Sequence, residues 1–279
     1  MSLFVTSLNS GSNGNCYYIG NENEAILVDA GISCRETEKR MKRLRLHIDK
    51  VKAIFISHEH SDHIKGLETL SKKYQLPVYI TNKTLYHCGN LKIEKSLLIS
   101  FEAYQNISFG NLSVIPFFKL HDAADPHSFI IECNKIKVGV FTDIGSSCEH
   151  VIKNFQQCDA AFLEANYDEK MLNDGAYPYH LKKRISGGLG HLSNTQALEL
   201  FLKYKPSFMS HLFLSHLSKN NNTPQLVQDL FNSYAGEVEI IVASRFEETA
   251  VYHIQNVHMI YKTVKPVQTK PQQLSFSFA

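Results

Sequence analysis

The sequence predicts an α/β (α+β) protein in which two mixed β-sheets lie face to face between outer helices, an αββα sandwich. Three observations predict this fold class. Strand and helix patterns alternate along the 279 residues, the middle of the chain is rich in strand patterns, and polar loops follow many of the strands. No internal repeat or long linker interrupts the pattern. We therefore predict one domain over residues 1–264 and a polar tail over residues 265–279.

The first part of the chain begins with a strand, a turn rich in glycine, serine and asparagine, and a hairpin. Its predicted strands span residues 3–8, 16–19, 25–29, 51–56 and 77–81, and its predicted helices span residues 34–46 and 64–74. Later strands are predicted over residues 112–119, 128–133, 137–142, 159–164, 207–214, 238–242 and 250–254, and later helices over residues 149–156, 193–204 and 224–234. With 43% apolar residues, a chain of this length can bury a sizeable core.

The composition argues against several classes of protein. No apolar run approaches the roughly 20 residues needed to cross a bilayer. The first residues lack the basic and apolar segments of a secretory signal. Six cysteines without a C-x-x-C pair indicate reduced thiols rather than a disulfide framework or a zinc ribbon. We therefore expect a cytoplasmic protein that does not associate with a membrane.

Two basic clusters stand out against a net charge of only +2. The first falls in one predicted helix and contains Arg35, Lys39, Arg40, Lys42, Arg43 and Arg45. The second is Lys182, Lys183 and Arg184. Contact with a nucleic-acid backbone and an ordinary solvated face explain such clusters equally well, and the sequence leaves both interpretations open.

A turn with three histidines and two carboxylates is the strongest chemical signal in the chain. Residues 57–63 read Ser-His-Glu-His-Ser-Asp-His and lie between the predicted strand 51–56 and the next helix. Neutral imidazole is a good zinc ligand, and carboxylate adds charge and tolerance for harder metals. Alternate residues His58 and His60 can face one ion, while Asp62 and His63 face a neighbouring one. We prefer a metal site to a polar surface loop.

Further donors are expected at the ends of later strands. His121, Asp143 and His216 each follow an apolar strand pattern. Taken alone, Asp143 reads as a turn aspartate and His216 as a capping or core histidine, but their shared placement favours a metal site. His211 lies within a predicted strand and is interpreted as a structural histidine.

This pattern resembles the metallo-β-lactamase-fold hydrolases. The resemblance rests on the H-x-H-x-D-H block at residues 58–63 and on Ile-Leu-Val-Asp-Ala-Gly at residues 26–31, which is similar to that superfamily's first motif. It implies two divalent cations, zinc or manganese. The implied ligands are His58, His60 and His121 for the first ion and Asp62, His63 and His216 for the second, with Asp143 bridging both.

A second pair of residues narrows the implied reaction. Glu164 ends a predicted strand, and His191 precedes a predicted helix. The pair is similar to the glutamate and histidine motifs of RNase Z and related phosphodiesterases, in which the glutamate orients the histidine and the histidine protonates the leaving oxygen. A carboxylate on one imidazole nitrogen fixes the tautomer. The alternative is a structural helix start capped by Ser193 or Asn194.

The implied mechanism is two-metal phosphodiester hydrolysis. Asp62 holds one ion and accepts the proton of the nucleophile, and His191 protonates or stabilises the departing oxygen. These two residues and Glu164 are the predicted catalytic residues.

Several further motifs resemble the YycJ (WalJ) group of exonucleases. They include Ser-Gly-Ser-Asn-Gly-Asn-Cys at residues 10–16, His-Asp-Ala-Ala-Asp-Pro at residues 121–126 and Gly-His-Leu-Ser-Asn at residues 190–194. The resemblance implies 5′-to-3′ exonuclease activity on DNA. The candidate phosphate-binding residues are Ser12, Asn13, Arg184 and Asn194. A tight turn is an equally economical explanation of the loop at residues 10–13.

Three other functions remain open from the sequence. One is a metal-dependent hydrolase of small phosphodiesters or esters, a second is an RNA-processing nuclease, and a third is a nucleic-acid-binding protein without catalysis. The expected pair Glu164 and His191 favours phosphate chemistry.

The chain ends in a short segment of alternating apolar residues. Its candidate partner-binding residues are Gln273, Leu274, Phe276 and Phe278. They resemble the sliding-clamp-binding peptides of bacterial DNA repair and replication proteins. A terminal strand is the alternative interpretation.

Overall fold

The computed structural model describes residues 2–255 and contains two β-sheets. In the first sheet the strands are ordered β14 (Tyr252–Ile254), β1 (Leu3–Asn9), β2 (Cys16–Gly20), β3 (Ala25–Val28), β4 (Val51–Phe55), β5 (Val78–Tyr79) and β6 (Leu98–Ile99). In the second sheet the order is β13 (Glu239–Val242), β12 (His211–Ser215), β11 (Ala160–Glu164), β10 (Ile136–Phe141), β9 (His127–Cys133), β8 (Leu112–Phe118) and β7 (Ile107–Phe109). The predicted tail, with Gln273, Leu274, Phe276 and Phe278, lies outside the described residues.

Each sheet is half antiparallel and half parallel. Strand β1 pairs antiparallel with β14 and β2, and β2 pairs antiparallel with β3, whereas β3 to β6 are parallel. In the second sheet β7 to β10 are antiparallel, and β10 to β13 are parallel. Because parallel strands point the same way, the loops that follow β3, β4, β10, β11 and β12 leave their sheets at corresponding edges.

The helices cover the outer faces of the sheets. They are α1 (Cys34–Arg43), α2 (Ser61–Ile64), α3 (Leu67–Tyr74), α4 (Asn82–His87), α5 (Glu149–Phe155), α6 (Glu169–Asp174), α7 (Tyr179–Ile185), α8 (Asn194–Tyr204) and α9 (Pro224–Asn232), with 3₁₀ turns at Ile48–Lys50 and Lys95–Leu97. One apolar cluster fills the space between the sheets and includes Tyr17, Phe55, Phe129 and Phe162. Two further apolar clusters each lie between one sheet and the helices outside it. The αββα sandwich is therefore confirmed.

Some element boundaries differ from the prediction. The single helix expected over residues 64–74 is divided into α2 and α3 at Gly66, whose N–H donates to the carbonyl of Ala30 at 2.8 Å. A Cβ at position 66 would lie 1.9 Å from the carbonyl oxygen of Ile32, so only glycine permits this approach. The strand expected over residues 207–214 begins only at His211, because Met209 donates back to Pro206 in a turn.

Candidate metal centre

The histidine-rich turn leaves the end of β4 and is anchored by a buried carboxylate. The N–H of Ser57 donates to Asp29 Oδ1 at 2.8 Å, and its hydroxyl donates to Asp29 Oδ2 at 2.9 Å. The carbonyl of Ser57 accepts from the N–H of His127 at 3.0 Å, which ties the turn to the second sheet. These bonds hold the following residues at the junction between the two sheets.

We call His58, His60 and His121 the three-imidazole cluster. His58 Nε2 lies 3.0 Å from His60 Nδ1, and His121 Nε2 lies 3.4 Å from the same atom. His121 Nδ1 is 3.0 Å from the carbonyl oxygen of Gly190 and must donate to it, which leaves Nε2 with a lone pair. Burial lowers the pKa of His58 well below its usual range and lowers the pKa of His121 to about 4. Both imidazoles are therefore neutral, the form that binds a metal.

We call Asp62, His63, Asp143 and His216 the carboxylate–imidazole cluster. His63 Nε2 lies 3.6 Å from Asp62 Oδ2 and 3.2 Å from Asp143 Oδ2. His216 Nε2 lies 3.5 Å from Asp62 Oδ2, and His216 Nδ1 lies 3.5 Å from Asp143 Oδ1. Asp143 Oδ1 is also 3.8 Å from His121 Nε2. Asp143 thus lies between the two clusters.

The carboxylates change the proton affinity of the imidazoles beside them. Burial alone would lower the pKa of His216, but Asp143, Asp62 and Glu164 together raise it to about 10. The pKa of His63 is likewise raised, because Asp29, Asp143 and Asp62 outweigh its burial. Burial opposes ionisation of Asp62, yet His63 and His216 lower the pKa of Asp62 to about 2. Without a metal ion, these two imidazoles carry the positive charge that the carboxylates attract.

The donor set fits divalent cations. The described side chains form four overlapping groups whose donor atoms lie within 4.8 Å of one another. They are His58, His60 and His121; His58, His63 and Asp143; Asp62, His63 and His216; and Asp143, Glu164, His191 and His216. Within the described chain, Asp143 Oδ2 and His216 Nε2 are buried, and neither makes a hydrogen bond beyond the ion-pair contacts to His63 and Asp62 given above. Buried polar atoms normally have a partner, so both atoms are suited to bind a cation.

Outer partners orient the donor side chains. Asp29 Oδ2 lies 2.7 Å from His63 Nδ1 and fixes that ring through its second nitrogen. Asn15 Nδ2 lies 3.2 Å from Asp62 Oδ2 and 3.1 Å from His63 Nε2. The sequence pattern does not predict a role in the site for Asn15 or Asp29. The signal was available for Asp29, since a carboxylate that ends an apolar strand needs a buried partner.

Three of these residues have a left-handed backbone. The φ angles are 61° at Asp29, 54° at Asp143 and 58° at His216. Each residue directly follows, or lies two positions after, a central parallel strand: β3, β10 or β12. Residues other than glycine rarely adopt this conformation. It turns the chain sharply at the sheet edge and directs three side chains into one site.

Glu164 and His191 are hydrogen-bonded, as the sequence pattern led us to expect. Glu164 Oε1 lies 2.8 Å from His191 Nδ1 and 2.9 Å from His216 Nδ1. Glu164 Oε2 accepts from the N–H of Ile144 at 2.7 Å. Burial disfavours the ionised carboxylate, but His191 and His216 lower the pKa of Glu164 to about 2. One carboxylate therefore orients both imidazoles, and His191 remains partly exposed, with 22% of its side chain accessible.

A buried lysine adds positive charge beside the site and was not expected from the sequence. Lys119 follows β8, and its Nζ donates to the carbonyl of Thr142 at 2.8 Å, next to Asp143. Burial lowers the pKa of Lys119, whereas the carboxylates of Asp143 and Asp29 oppose that shift.

The four predicted phosphate-binding residues differ in their exposure and in their hydrogen-bond partners. Ser12 and Asn13 are exposed, and Asn13 Nδ2 donates to the carbonyl of Arg245 at 2.8 Å. Arg184 is exposed and pairs with Asp122 at 2.5 Å. Asn194 is buried, because its amide group pairs with the amide of Asn222 at 3.1 and 2.8 Å. A phosphate contact at Asn194 stays a prediction.

The structure also tests the interpretations of His211 and of the basic cluster that contains Arg40. His211 lies at the start of β12, opposite the site, and pairs with Glu239 at 3.3 Å, so its structural role is confirmed. Arg40 was expected on a basic surface, but it is buried and donates to the carbonyl of Leu8 at 2.6 Å and to Asn9 Oδ1 at 2.7 Å. The predicted basic face of α1 is therefore smaller than the sequence implied.

Comparisons with known proteins agree with this fold. The family model described as a beta-lactamase superfamily domain matches residues 24–216. The chain belongs to the beta-lactamase superfamily. Within that superfamily it is 35% identical to exodeoxyribonuclease YycJ of Bacillus anthracis, over 88% of this chain and 94% of the relative. It is 30% identical to exodeoxyribonuclease WalJ of Streptococcus pneumoniae, over 86% of this chain and 91% of the relative.

Solved structures of other proteins share the fold. The metallo-beta-lactamase fold protein YhfI from Bacillus subtilis gives a TM-score of 0.69 at 18% identity, covering 91% of this chain and all (100%) of that one. Zn(2+)-bound PqqB from Methylobacterium extorquens gives a TM-score of 0.68 at 14% identity, covering 88% and 99%. Between residues 2 and 255, the superfamily domain has no helix with the length and apolar character of a membrane span.

Proposed function

We propose that this chain is an exodeoxyribonuclease that hydrolyses DNA phosphodiesters with two divalent cations. The observation that carries the proposal is the hydrogen bond between Glu164 and His191, which places a partly exposed imidazole beside a buried cluster of metal donors. Similarity to YycJ and WalJ, which are named as exodeoxyribonucleases, supports DNA as the substrate.

The two clusters divide the ligands between the cations. His58, His60 and His121 would hold the first cation. Asp62, His63 and His216 would hold the second, and Asp143 would contribute to both. Bound cations polarise a phosphoryl oxygen and lower the pKa of a coordinated water. Either zinc or manganese suits this mixture of imidazole and carboxylate donors, and we favour zinc for the three-imidazole cluster.

Asp62 serves the attacking side of the reaction. Its carboxylate is 18% exposed, the largest exposed fraction in the carboxylate–imidazole cluster, and its low pKa keeps it ionised. Asn15 holds the same carboxylate oxygen at 3.2 Å. Asp62 therefore orients the attacking water by accepting a hydrogen bond from it and receives its proton as the bond to phosphorus forms.

His191 serves the leaving side. Nδ1 donates to Glu164, so Nε2 is left to face the substrate. A protonated His191 donates from Nε2 to the departing oxygen, and Glu164 stabilises the imidazolium before this transfer. The alkoxide leaving group of DNA needs this proton, because an alkoxide is far more basic than a nitrophenolate.

A comparison of leaving groups tests this assignment. We expect His191→Ala to reduce kcat on DNA by roughly 10²- to 10⁴-fold, the usual contribution of a general acid. On bis(p-nitrophenyl) phosphate, whose leaving group departs without a proton, the loss should be less than about tenfold. Equal losses on both substrates would show that His191 does not act as the acid.

End-labelled substrates test the reaction class and its polarity. Digestion of 5′- and 3′-labelled single strands of DNA and RNA, with zinc or manganese added to the metal-free protein, should give mononucleotides released from the 5′ end of DNA. Preferential cleavage of RNA would favour an RNA-processing nuclease, and ester hydrolysis without phosphodiester cleavage would exclude the nuclease proposal.

We also keep the proposals that this protein is cytoplasmic and that the tail residues Gln273, Leu274, Phe276 and Phe278 bind a sliding clamp. Alternating apolar residues in a short peptide suit a groove on a partner. Deletion of residues 270–279 should abolish binding to the clamp and leave hydrolysis of bis(p-nitrophenyl) phosphate unchanged. The same clamp affinity before and after deletion would rule the tail out.

A further inference from the structure

Helix α7 has an unusual composition for its position. It reads Tyr-His-Leu-Lys-Lys-Arg-Ile over Tyr179–Ile185, contains no acidic residue and has no buried side chain. A seven-residue helix is marginal in water on its own propensity, and this one contributes little to the core. Its surface chemistry, rather than packing, is therefore the feature to explain.

The helix is fixed directly to the candidate metal centre. The N–H of His191 donates to the carbonyl of Ile185 at 2.9 Å, and His121 Nδ1 donates to the carbonyl of Gly190 at 3.0 Å. Gly190 allows this closeness, because a Cβ there would lie 2.2 Å from the carbonyl oxygen of Ile185. Arg184 pairs with Asp122, the residue after His121. The C-terminal end of α7 therefore adjoins both a metal donor and the proposed acid.

One face of α7 combines an aromatic ring with free positive charge. Tyr179 is 77% exposed, and Lys183 Nζ lies 6.0 Å from the centre of its ring. Residues four apart share one helix face. Together with Asn173, Lys182 and Ser186 they border a surface depression of about 380 Å³. Between residues 2 and 255, no carboxylate lies within ion-pair distance of Lys183.

We propose that this face of α7 binds the single strand of DNA next to the scissile linkage, with one base stacked on Tyr179 and a phosphate contacting Lys183. The proposal rests on the proposed function. Proteins that bind single strands combine aromatic rings, on which bases stack, with cations that follow the phosphates. The occupant is nucleic acid rather than an acidic peptide, because a flat exposed ring beside cations matches a base beside phosphates.

The helix geometry sets the expected reach. At about 1.5 Å per residue, Tyr179 lies roughly 9 Å along the helix from Ile185. Stacked nucleotides are about 3.4 Å apart along one strand. Because Ile185 contacts His191, we expect a dinucleotide bound at His191 to fall short of the ring and a longer strand to reach it.

Binding is measured with oligonucleotides that resist cleavage, so that the result does not depend on catalysis. The probes are fluorescein-labelled phosphorothioate dT8, dT2 and an abasic 8-mer of the same charge. Tyr179→Ala should weaken the binding of metal-loaded protein to dT8 by about tenfold, and Tyr179→Phe by less than about twofold, because base stacking contributes on this scale. Neither variant should change binding of dT2 or of the abasic 8-mer.

Two further variants separate stacking from charge and from general effects. Lys183→Ala should reduce the slope of log affinity against log salt by about 0.7, the value for one phosphate contact on a single strand. Tyr234→Ala is the matched control, since Tyr234 is 51% exposed and lies beyond the end of α9, at the edge of the sheet opposite the metal centre. It should leave all three affinities unchanged.

The outcomes are separable from those of the proposed function. Equal affinity of wild type for dT8 and the abasic 8-mer, or no effect of Tyr179→Ala, overturns the stacking proposal. Loss of bis(p-nitrophenyl) phosphate hydrolysis in Tyr179→Ala would also overturn it, because that result indicates a structural role. Normal dT8 binding without cleavage of unmodified DNA would instead contradict the exonuclease proposal and leave the stacking result valid.

Discussion

The two donor clusters lie side by side but differ in proton affinity. In the three-imidazole cluster, burial lowers the pKa of His58 and His121, and both rings are neutral. In the carboxylate–imidazole cluster, carboxylates raise the pKa of His63 and His216. The first cluster is therefore ready to bind a cation, whereas the second must release protons to do so. Similar side chains thus provide two sites with different chemistry, because burial dominates at His58 and His121, whereas three carboxylates outweigh burial at His63 and at His216.

Loss of one imidazole from the first cluster should have the largest effect. We expect His58→Ala to lower kcat/KM on DNA by at least about 10³-fold, because removal of a ligand disrupts the cation that polarises the phosphate. Metal content measured by mass spectrometry should fall by about one ion per chain. His211→Ala is the matched control, since His211 pairs with Glu239 away from the site, and should leave both measurements unchanged. Full activity of His58→Ala would contradict the proposed ligand set.

Proton release should distinguish the two clusters. A raised pKa means that His63 and His216 are protonated at neutral pH in the metal-free protein, so cation binding there must displace about two protons. Affinity at this cluster should therefore rise with pH, by up to about 100-fold per pH unit while both imidazoles are protonated, and less steeply above the pKa of about 10 for His216. Calorimetric titration in buffers of different ionisation enthalpy counts the protons. Heats that do not depend on the buffer would show that the clusters do not differ in this way.

Loss of an outer partner should affect mainly the second cluster. Asp29 fixes His63 from behind at 2.7 Å, and such partners usually contribute about 10- to 100-fold to metal affinity or activity. Asp29→Asn should weaken one of two binding steps in a zinc titration by this amount and leave the other within about twofold. An equal loss in both steps would mean that Asp29 supports the whole turn.

The smallest effect is expected at Ser57, whose hydroxyl lies within hydrogen-bond distance of one imidazole of each cluster. The hydroxyl of Ser57 lies 2.9 Å from His58 Nδ1 and donates to Asp29, which holds His63. Ser57→Ala removes these bonds but keeps the backbone contact to Asp29, so activity should fall by only about three- to tenfold, a loss of about one hydrogen bond. Zinc titration should show both steps weakened equally. A loss confined to one step would assign the hydroxyl to that cluster.

The sequence predicted the parts of the site that follow periodic elements. His121, Asp143 and His216 come after apolar strands, and strand ends at one edge of a parallel sheet meet. The roles of Asn15 and Asp29 were not predicted, because they depend on pairing between residues distant in the chain. The burial of Asn194 was not predicted for the same reason, because its partner Asn222 is 28 positions away.

Some elements left no pattern to detect. Helices α6 and α7 were not predicted, and α7 has no buried residue, so it shows no apolar periodicity. Strands β6 and β7 are only two and three residues long, below the length at which alternation is informative. Helix α7 was therefore visible in the sequence only as a cluster of basic residues.

The left-handed backbone at Asp29, Asp143 and His216 has a consequence for attempts to improve this protein. Each such residue costs about 1–3 kcal/mol of folding free energy. Screens for heat resistance alone will therefore favour glycine or asparagine at these positions, where the substitutions relax the chain. Those variants lose an anchoring or metal-binding side chain. Thermal stability and catalysis therefore depend on the same three backbone turns, and a screen must select for both together.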